Sequence, residues 1–303
     1  MRKTMNNFDE ETFVPYENTD WHYISVYQIL SEKFIEKYKN KVDWHYISQY
    51  QTLSEKFIEK YKDKVNWHYM SKYQTLSEKF IEKYKDKVNW FDISIFQTLS
   101  EEFIEKYKDE VYWHYISQYQ ILSEEFIEKF EDKVDWYRIS KYQKLSEKFI
   151  EKFEDEVYWY DISIYQKLSK EFIEKYNLTI PKSCWLYKTK KEKLNYIKEN
   201  TNYEVIDNNY ILVYKSVRDD YKSVFFPNKY KYEIGKTYES NCDCNIDEDN
   251  SFGLSAWSEQ GALDYYSEGK LLLVKINIED IGTITFYNKI RCFKLTILEE
   301  INE

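Results

Sequence analysis

Tryptophan recurs at positions 21, 44, 67, 90, 113, 136 and 159, always 23 residues on, and each instance opens a near-copy of WHYISQYQTLSEKFIEKYKDKV, Trp44 to Val65. A fixed period between about twenty and fifty residues restricts the fold to arrays in which each unit buries its apolar face against its neighbours. In the second copy the apolar positions are Trp44, Ile47, Tyr50, Leu53, Phe57, Ile58, Tyr61 and Val65, spaced by three or four apart from one adjacent pair. That is helical periodicity, with no two-residue alternation to suggest strands.

Asp20, Asp43, Asn66, Asn89 and Asp135 stand immediately before a Trp, where a short polar side chain accepts the free N–H groups of a helix start. Thr52 and Glu55 have capping-box spacing, repeated as Thr75/Glu78 and Thr98/Glu101, and place a second start near Thr52 and Ser54. Each copy therefore reads as a short helix, Trp44 to Gln51, and a longer one, Ser54 to about Asp63. A single helix running through Leu53 is the alternative. The helically spaced aromatic residues are read as core, because rings at that spacing pack against neighbouring helices.

The copies can be compared with one another inside this one chain. Ser25, Ser48, Ser71, Ser94, Ser117, Ser140 and Ser163 match, as do Gln28, Gln51, Gln74, Gln97, Gln120, Gln143 and Gln166. Stacking would bring them into two ladders of side-chain hydrogen bonds between adjacent copies, since buried polar groups need partners. The first helix also carries a set that varies: His45, Tyr46, Gln49 and Thr52 become Phe91, Asp92, Ile95 and Thr98 in the fourth copy and Tyr137, Arg138, Lys141 and Lys144 in the sixth, with Tyr115 and Gln118 in the fifth and Asp161 and Ile164 in the seventh at the second and third of these positions. These offsets lie on one side of the helix, away from the Trp/Ile stripe. A varied surface on a fixed frame is a candidate partner-binding face, and neutral drift on a solvated face explains the same pattern.

Charge narrows the choice of partner. The 303-residue chain has a formal net charge of −10, and Lys and Glu alternate along the second helix of each copy, which reads as a solvated face with intrahelical pairing. No one-signed basic stripe exists for a phosphate backbone, so a protein partner is expected and nucleic acid is not. No apolar run is long enough for a membrane span, and the N-terminal stretch MRKTMNNFDEETFVPYENTD lacks the apolar core of a secretory signal, which points to an intracellular protein without membrane attachment. In such a compartment Cys184, Cys242, Cys244 and Cys292 are expected as thiols.

The period fails near Pro181, which is read as stopping the last repeat helix. KTKKEKLNYIKEN then forms one basic amphipathic helix with Thr189/Glu192 at capping-box spacing. From about residue 203 the pattern turns strand-like, in Tyr210 to Val217, Lys270 to Ile278, Thr283 to Tyr287 and Lys289 to Leu298, with Ser258 to Tyr266 as a helix among them. The expected organisation is a cap (1–20, with Phe13 and Val14 covering the first helix pair), seven repeats (21–180), a capping helix (181–202) and a small domain (203–303). The fold class is an α-solenoid of short two-helix repeats followed by a small α+β domain.

The sequence holds few groups for catalysis. Cys242 and Cys244 are separated by one residue where a zinc knuckle has two to four, and the small domain has no His. Asp243, Asn245, Asp247 and Asp249 alternate like the opening of a calcium loop, but Glu248 stands where Gly is required and Leu254 where a bidentate Glu belongs, so a solvated turn is expected. No catalytic residue, metal or cofactor is assigned on this reading.

Two resemblances extend it. YKSVR at Tyr214 to Arg218, EIGKTYE, FGLSAWSEQGALDYY and LLLVKINIED follow an order similar to the layout of ADP-ribosyltransferases. That resemblance implies a cofactor-binding Arg, at whose place Lys215 stands, a serine motif, replaced by Ser255-Ala256-Trp257-Ser258, and an acid, for which Glu279 is the candidate. The W-x-x-I-S-x-Y-Q-x-L-S-E-x-F-I units, together with YEIGKTYESNCDCN, SFGLSAW and KIRCFKLTILEE, resemble the 23-residue-repeat proteins of giant DNA viruses over nearly the whole chain. This second resemblance implies origin and architecture, a location in host cytoplasm or virion, and a role in host interaction. The expected function is a non-enzymatic protein-interaction scaffold. A transferase-like domain on a repeat spacer and a structural virion component are the alternatives.

Overall fold

The computed structural model describes residues 10–180, 184–224, 230–244, 252–285 and 288–301. They belong to two compact units, Met1–Tyr112 and Trp113–Glu303. Pro181, Asn245, Asp247, Glu248 and Asp249, on which the helix-stop and calcium-loop readings turned, lie outside the described residues.

Each copy is a pair of short helices, such as Trp44–Tyr50 and Glu55–Lys60, in a series from Trp21–Tyr27 to Lys170–Lys175. Gln51 and Ser54 are extended, with ψ of 147° and 151°, so no helix continues through Leu53. Asp20, Asp43, Asn66, Asn89 and Asp135 cap first helices as expected. The second start differs from expectation. Its cap is Ser54, whose hydroxyl accepts from Phe57 N–H, and the same holds at Ser77 and Ser100. Thr52 is exposed, and Glu55 reaches forward to accept from Ser77 N–H of the next copy at 2.6 Å. The extended link puts Thr52 two residues before the cap Ser54, out of reach of a reciprocal box.

Neighbouring copies are stitched by groups at fixed register. Gln74 donates from Nε2 to Gln51 O at 2.8 Å and Ser48 O at 3.2 Å, and its Oε1 accepts from Leu53 N–H at 3.0 Å. Gln51 and Gln97 in the first unit, and Gln143 and Gln166 in the second, repeat this on the copy before them. Ser48 Oγ donates to Trp44 O and accepts from Asn66 N–H of the next copy. Both ladders therefore run from side chain to backbone, completing carbonyls and N–H groups that the short helices leave open.

The Lys/Glu pattern also joins copies. Lys83 meets Glu59 at 2.5 Å and Lys106 meets Glu82 at 2.5 Å, each 24 residues apart, where pairing within one helix was expected. The aromatic residues are core within a copy: the Trp44 ring lies 6.2 Å from Phe57 and 4.9 Å from Tyr61, and its Nε1 donates to Lys39 O. Ile47, Ile58, Leu53, Phe57 and Val65 are buried, whereas Tyr50, counted with them from its spacing, is 36% exposed.

The ends of the array are finished by imitation. In the first unit Glu10 accepts from Ser31 N–H, the part Glu32 plays for Ser54, and Phe13 packs on Trp21, Phe34 and Tyr38. Val14, expected to share that cover, is exposed. In the second unit Tyr187 Oη donates to Gln166 O at 3.0 Å and Ser163 O at 3.4 Å, in place of the glutamine of a further copy. Tyr187 belongs to a 3-10 turn, Trp185–Tyr187, before the helix Lys190–Asn200, which opens with the expected Thr189/Glu192 capping box.

The rest of the second unit is an antiparallel sheet domain. Its strands are β1 (Val205–Ile206), β2 (Tyr210–Val217), β3 (Thr237–Glu239), β4 (Leu254–Ala256), β5 (Lys270–Asn277), β6 (Ile281–Ile284), β7 (Ile290–Cys292) and β8 (Lys294–Ile301). One sheet has the order β1-β2-β5-β8-β3 and the other β4-β7-β6. The stretch read as one strand from Lys289 is two, β7 and β8, in different sheets. The core gathers Ile211, Val213, Val274, Ile276, Ile290 and Ile297, with Trp185 and Ile197 from the preceding segment. Among the described residues no helix is long and apolar enough to cross a membrane.

Candidate functional site

The varied positions fall into two environments. In the first unit His45 is exposed, Tyr46, Gln49 and Ile95 are half-buried, and Asp92 is buried. They touch the adjacent copy in a regular way. His22 packs edge-on to Tyr46, His45 packs on Tyr69 with a hydrogen bond of 3.1 Å, and His68 meets Asp92 at 2.7 Å. The varied residues thus include pairs in which one copy's choice answers its neighbour's. Burial raises the Asp92 carboxyl above the usual range, against the pull of His68 and Lys72.

In the second unit the same rows carry part of the sheet domain. Phe252 packs 4.6 Å from the Tyr142 ring and 5.4 Å from Tyr165, and Asn241 donates from Nδ2 to Gln143 O at 3.1 Å. Cys184 Sγ approaches Ile164 O at 3.7 Å, and Ile164 and Asp161 are buried. Arg138 hydrogen-bonds Gln118 across one pair of copies and lies over the Tyr142 ring, while Lys141 lies 4.9 Å from the Tyr165 ring. Tyr115 stacks on Tyr119. Position for position, Tyr50 and Tyr73 are 36% and 41% exposed while Tyr165 is 9% exposed.

Where copies and sheet domain meet, a cavity of about 580 Å³ opens. Gln118, Tyr119 and Tyr142 line it from the repeats. Tyr230, Tyr232, Trp257 and Tyr265 line it from the sheet domain, with Lys215, Ser255 and Lys289. Lys215 continues the inward alternation Ile211, Val213 of β2, so the backbone places a lysine where an apolar side chain is the rule. Its Nζ donates to Ser255 O at 2.8 Å and lies 5.0 Å from the Tyr232 centroid and 5.9 Å from Trp257. Burial, reinforced by Lys289, holds its pKa down at about 8, against the influence of Cys292.

Of the residues suggested by the transferase layout, the structure joins Lys215 to the Ser255–Trp257 segment and leaves Glu279 apart. Lys215 pairs with Leu272 and Tyr210 with Asn277, while Glu279 follows in a 3-10 turn beyond the far end of β5. At about 3.3 Å per residue that is on the order of 20 Å from Lys215. Glu279 is exposed, and its carbonyl accepts from Lys193 Nζ.

The thiols lie elsewhere. Cys184, Cys242 and Cys244 are buried together against Ile180, Leu186, Tyr187 and Phe293. Gly282 makes room for them, since a Cβ there would come within 2.1 Å of Cys242 Sγ. Hydrogen bonding with Cys244 and burial push the Cys184 thiol up, and burial pushes Cys292 up to about 12. Such thiols are weak nucleophiles. Among the described residues no group of three or more His, Cys, Asp or Glu is placed to hold a metal ion.

Sequence reasoning singled out Gln118 and Lys215 separately and missed the aromatic box between them. The available signal was the lysine inside an apolar alternation on β2, followed by four aromatic residues in the same domain. No family model matches the chain, and neither a curated protein nor a solved structure is significantly similar to it.

Proposed function

We propose that the chain is a protein-interaction scaffold whose first-helix row in copies one to four takes a protein partner. The observation that supports this is the contrast in use of one row. Copies six and seven use Tyr142 and Tyr165 to hold Phe252 of the chain's own sheet domain, while Tyr50 and Tyr73 at the same repeat position remain exposed. Exposed tyrosines beside variable polar residues suit a recognition surface, because Tyr offers a large contact area and a polar tip. The resemblance to repeat proteins of giant DNA viruses makes a host protein the partner to seek.

The test is affinity capture from host lysate with the intact chain and with a variant carrying Gln49→Ala, Tyr50→Ala, Lys72→Ala and Tyr73→Ala. A partner retained by the intact chain and lost by the variant, at unchanged helical circular dichroism, supports the proposal. Equal capture by both chains removes it.

A further inference from the structure

The cavity of the second unit has a charge opposite to that of the chain around it. The formal net charge is −10, yet the cavity is lined by two lysines and, among the described residues, by no Asp or Glu. Lys215 and Lys289 both approach the same indole, at 5.9 Å and 5.5 Å from the Trp257 centroid, and Lys289 disfavours the charge on Lys215.

Lys215 is 6% exposed and has three donors, of which one is used among the described residues, on Ser255 O. No carboxylate pairs with it among the described residues. A buried ammonium with one carbonyl partner and no counter-charge is expensive to keep, and an anion brought into the cavity would offset that cost.

The remaining lining defines the shape of that anion's carrier. Tyr119, Tyr142, Tyr230, Tyr232 and Tyr265 give the walls flat apolar faces with hydroxyl tips. Aromatic boxes commonly hold cations, but here the cation is part of the protein, over Tyr232 and Trp257. A volume of about 580 Å³ falls within the range of about 300–1,000 Å³ of small-molecule sites.

We propose that this cavity binds a small planar aromatic anion, a ring bearing a carboxylate or a phosphate. The ring lies among the tyrosines contributed by the repeats and the sheet domain, and the anionic group lies between Lys215 and Lys289. The site is distinct from the exposed row of copies one to four, and its test is independent of partner capture.

The full chain is titrated by calorimetry with adenosine 5′-monophosphate and 2-naphthoate, beside their neutral counterparts adenosine and 2-naphthamide, and with inorganic phosphate as an anion lacking a ring. At least one aromatic anion is expected to bind at least about tenfold more tightly than its neutral counterpart, a difference equivalent to one charge-assisted contact. Binding of the nucleotide alone identifies the phosphate-bearing source, and binding of naphthoate alone the carboxylate-bearing one. Lys215→Met should erase the preference for the anion and Lys215→Arg should retain part of it. Lys289→Gln, at a half-buried position, provides a second variant that should weaken the anion should Lys215→Met fail to fold.

Three results each overturn the proposal. One is no binding of either aromatic anion at about 1 mM, the weak end of specific small-ligand affinity. Another is equal affinity for anion and neutral counterpart. The last is unchanged anion affinity in every folded variant at Lys215 and Lys289.

Discussion

The repeats and the sheet domain bury polar groups in opposite ways. Inside the copies the buried polar side chains are chiefly Ser and Gln, and from Gln51 onward the ladder residues bond backbone of their own or a neighbouring copy, as Ser48 and Gln74 do. Inside the sheet domain and its preceding helix they include Lys193, Lys215, Asp243 and Arg291. Lys193 Nζ is held by Glu279 O and Ile281 O, and Arg291 faces Asp243 at 3.6 Å. Neutral groups in register can be copied seven times without accumulating charge. Apart from Asp92 and Asp161, which share one repeat position, the buried Asp, Lys and Arg side chains among the described residues stand outside the copies, where nothing repeats.

The contrast can be broken in order of expected effect. Asp243→Ala removes one member of a buried ion pair and should destabilise the second unit by about 3–5 kcal/mol, measured by urea unfolding. A loss below about 1 kcal/mol, the scale of surface pairs, would mean that Arg291 does not depend on this carboxylate. Gln74→Ala strips partners from Leu53 N–H, Gln51 O and Ser48 O, at about 1–3 kcal/mol for each group left buried and unpaired. Amide hydrogen exchange should show the Leu53 N–H losing protection, and a Leu53 amide that stays protected would refute the ladder as described. Lys83→Ala removes an exposed contact to Glu59 and should leave the urea midpoint unchanged. A clear shift would show that the inter-copy ion pairs act as a network.

What could be read from the chain depended on repetition. The two-helix copy, the Asp/Asn caps and the Gln ladder were visible because equivalent residues recur in register, and recurrence separates a required side chain from an incidental one. Thr52/Glu55 misled for a local reason, since its spacing fits a capping box but Ser54 stands closer to the helix and takes the role. Tyr50 misled in another way, because a tyrosine at helical spacing is exposed or covered according to what lies above it. Tyr50 and Tyr165 occupy one repeat position and differ only in that. The cavity was illegible because its walls come from residues 118–142 and 215–289, a proximity that periodicity cannot foresee. Lys215 was the exception, a charged residue inside an apolar alternation.

Only the two ends of the array required invention. Glu10 at one end and Tyr187 at the other supply what an absent neighbour would have supplied, and within each unit successive copies are joined by the same glutamine bonds, at Gln51, Gln74 and Gln97 in the first and at Gln143 and Gln166 in the second. A duplicated or deleted block of 23 codons in the gene would therefore keep the glutamine bonds in register and both terminal seals intact, and would re-match only copy-specific pairs such as His68 with Asp92. Copy number is accordingly the most evolvable property of this protein. Close relatives are expected to differ first in how many tryptophans they count, and only later in what surrounds each one.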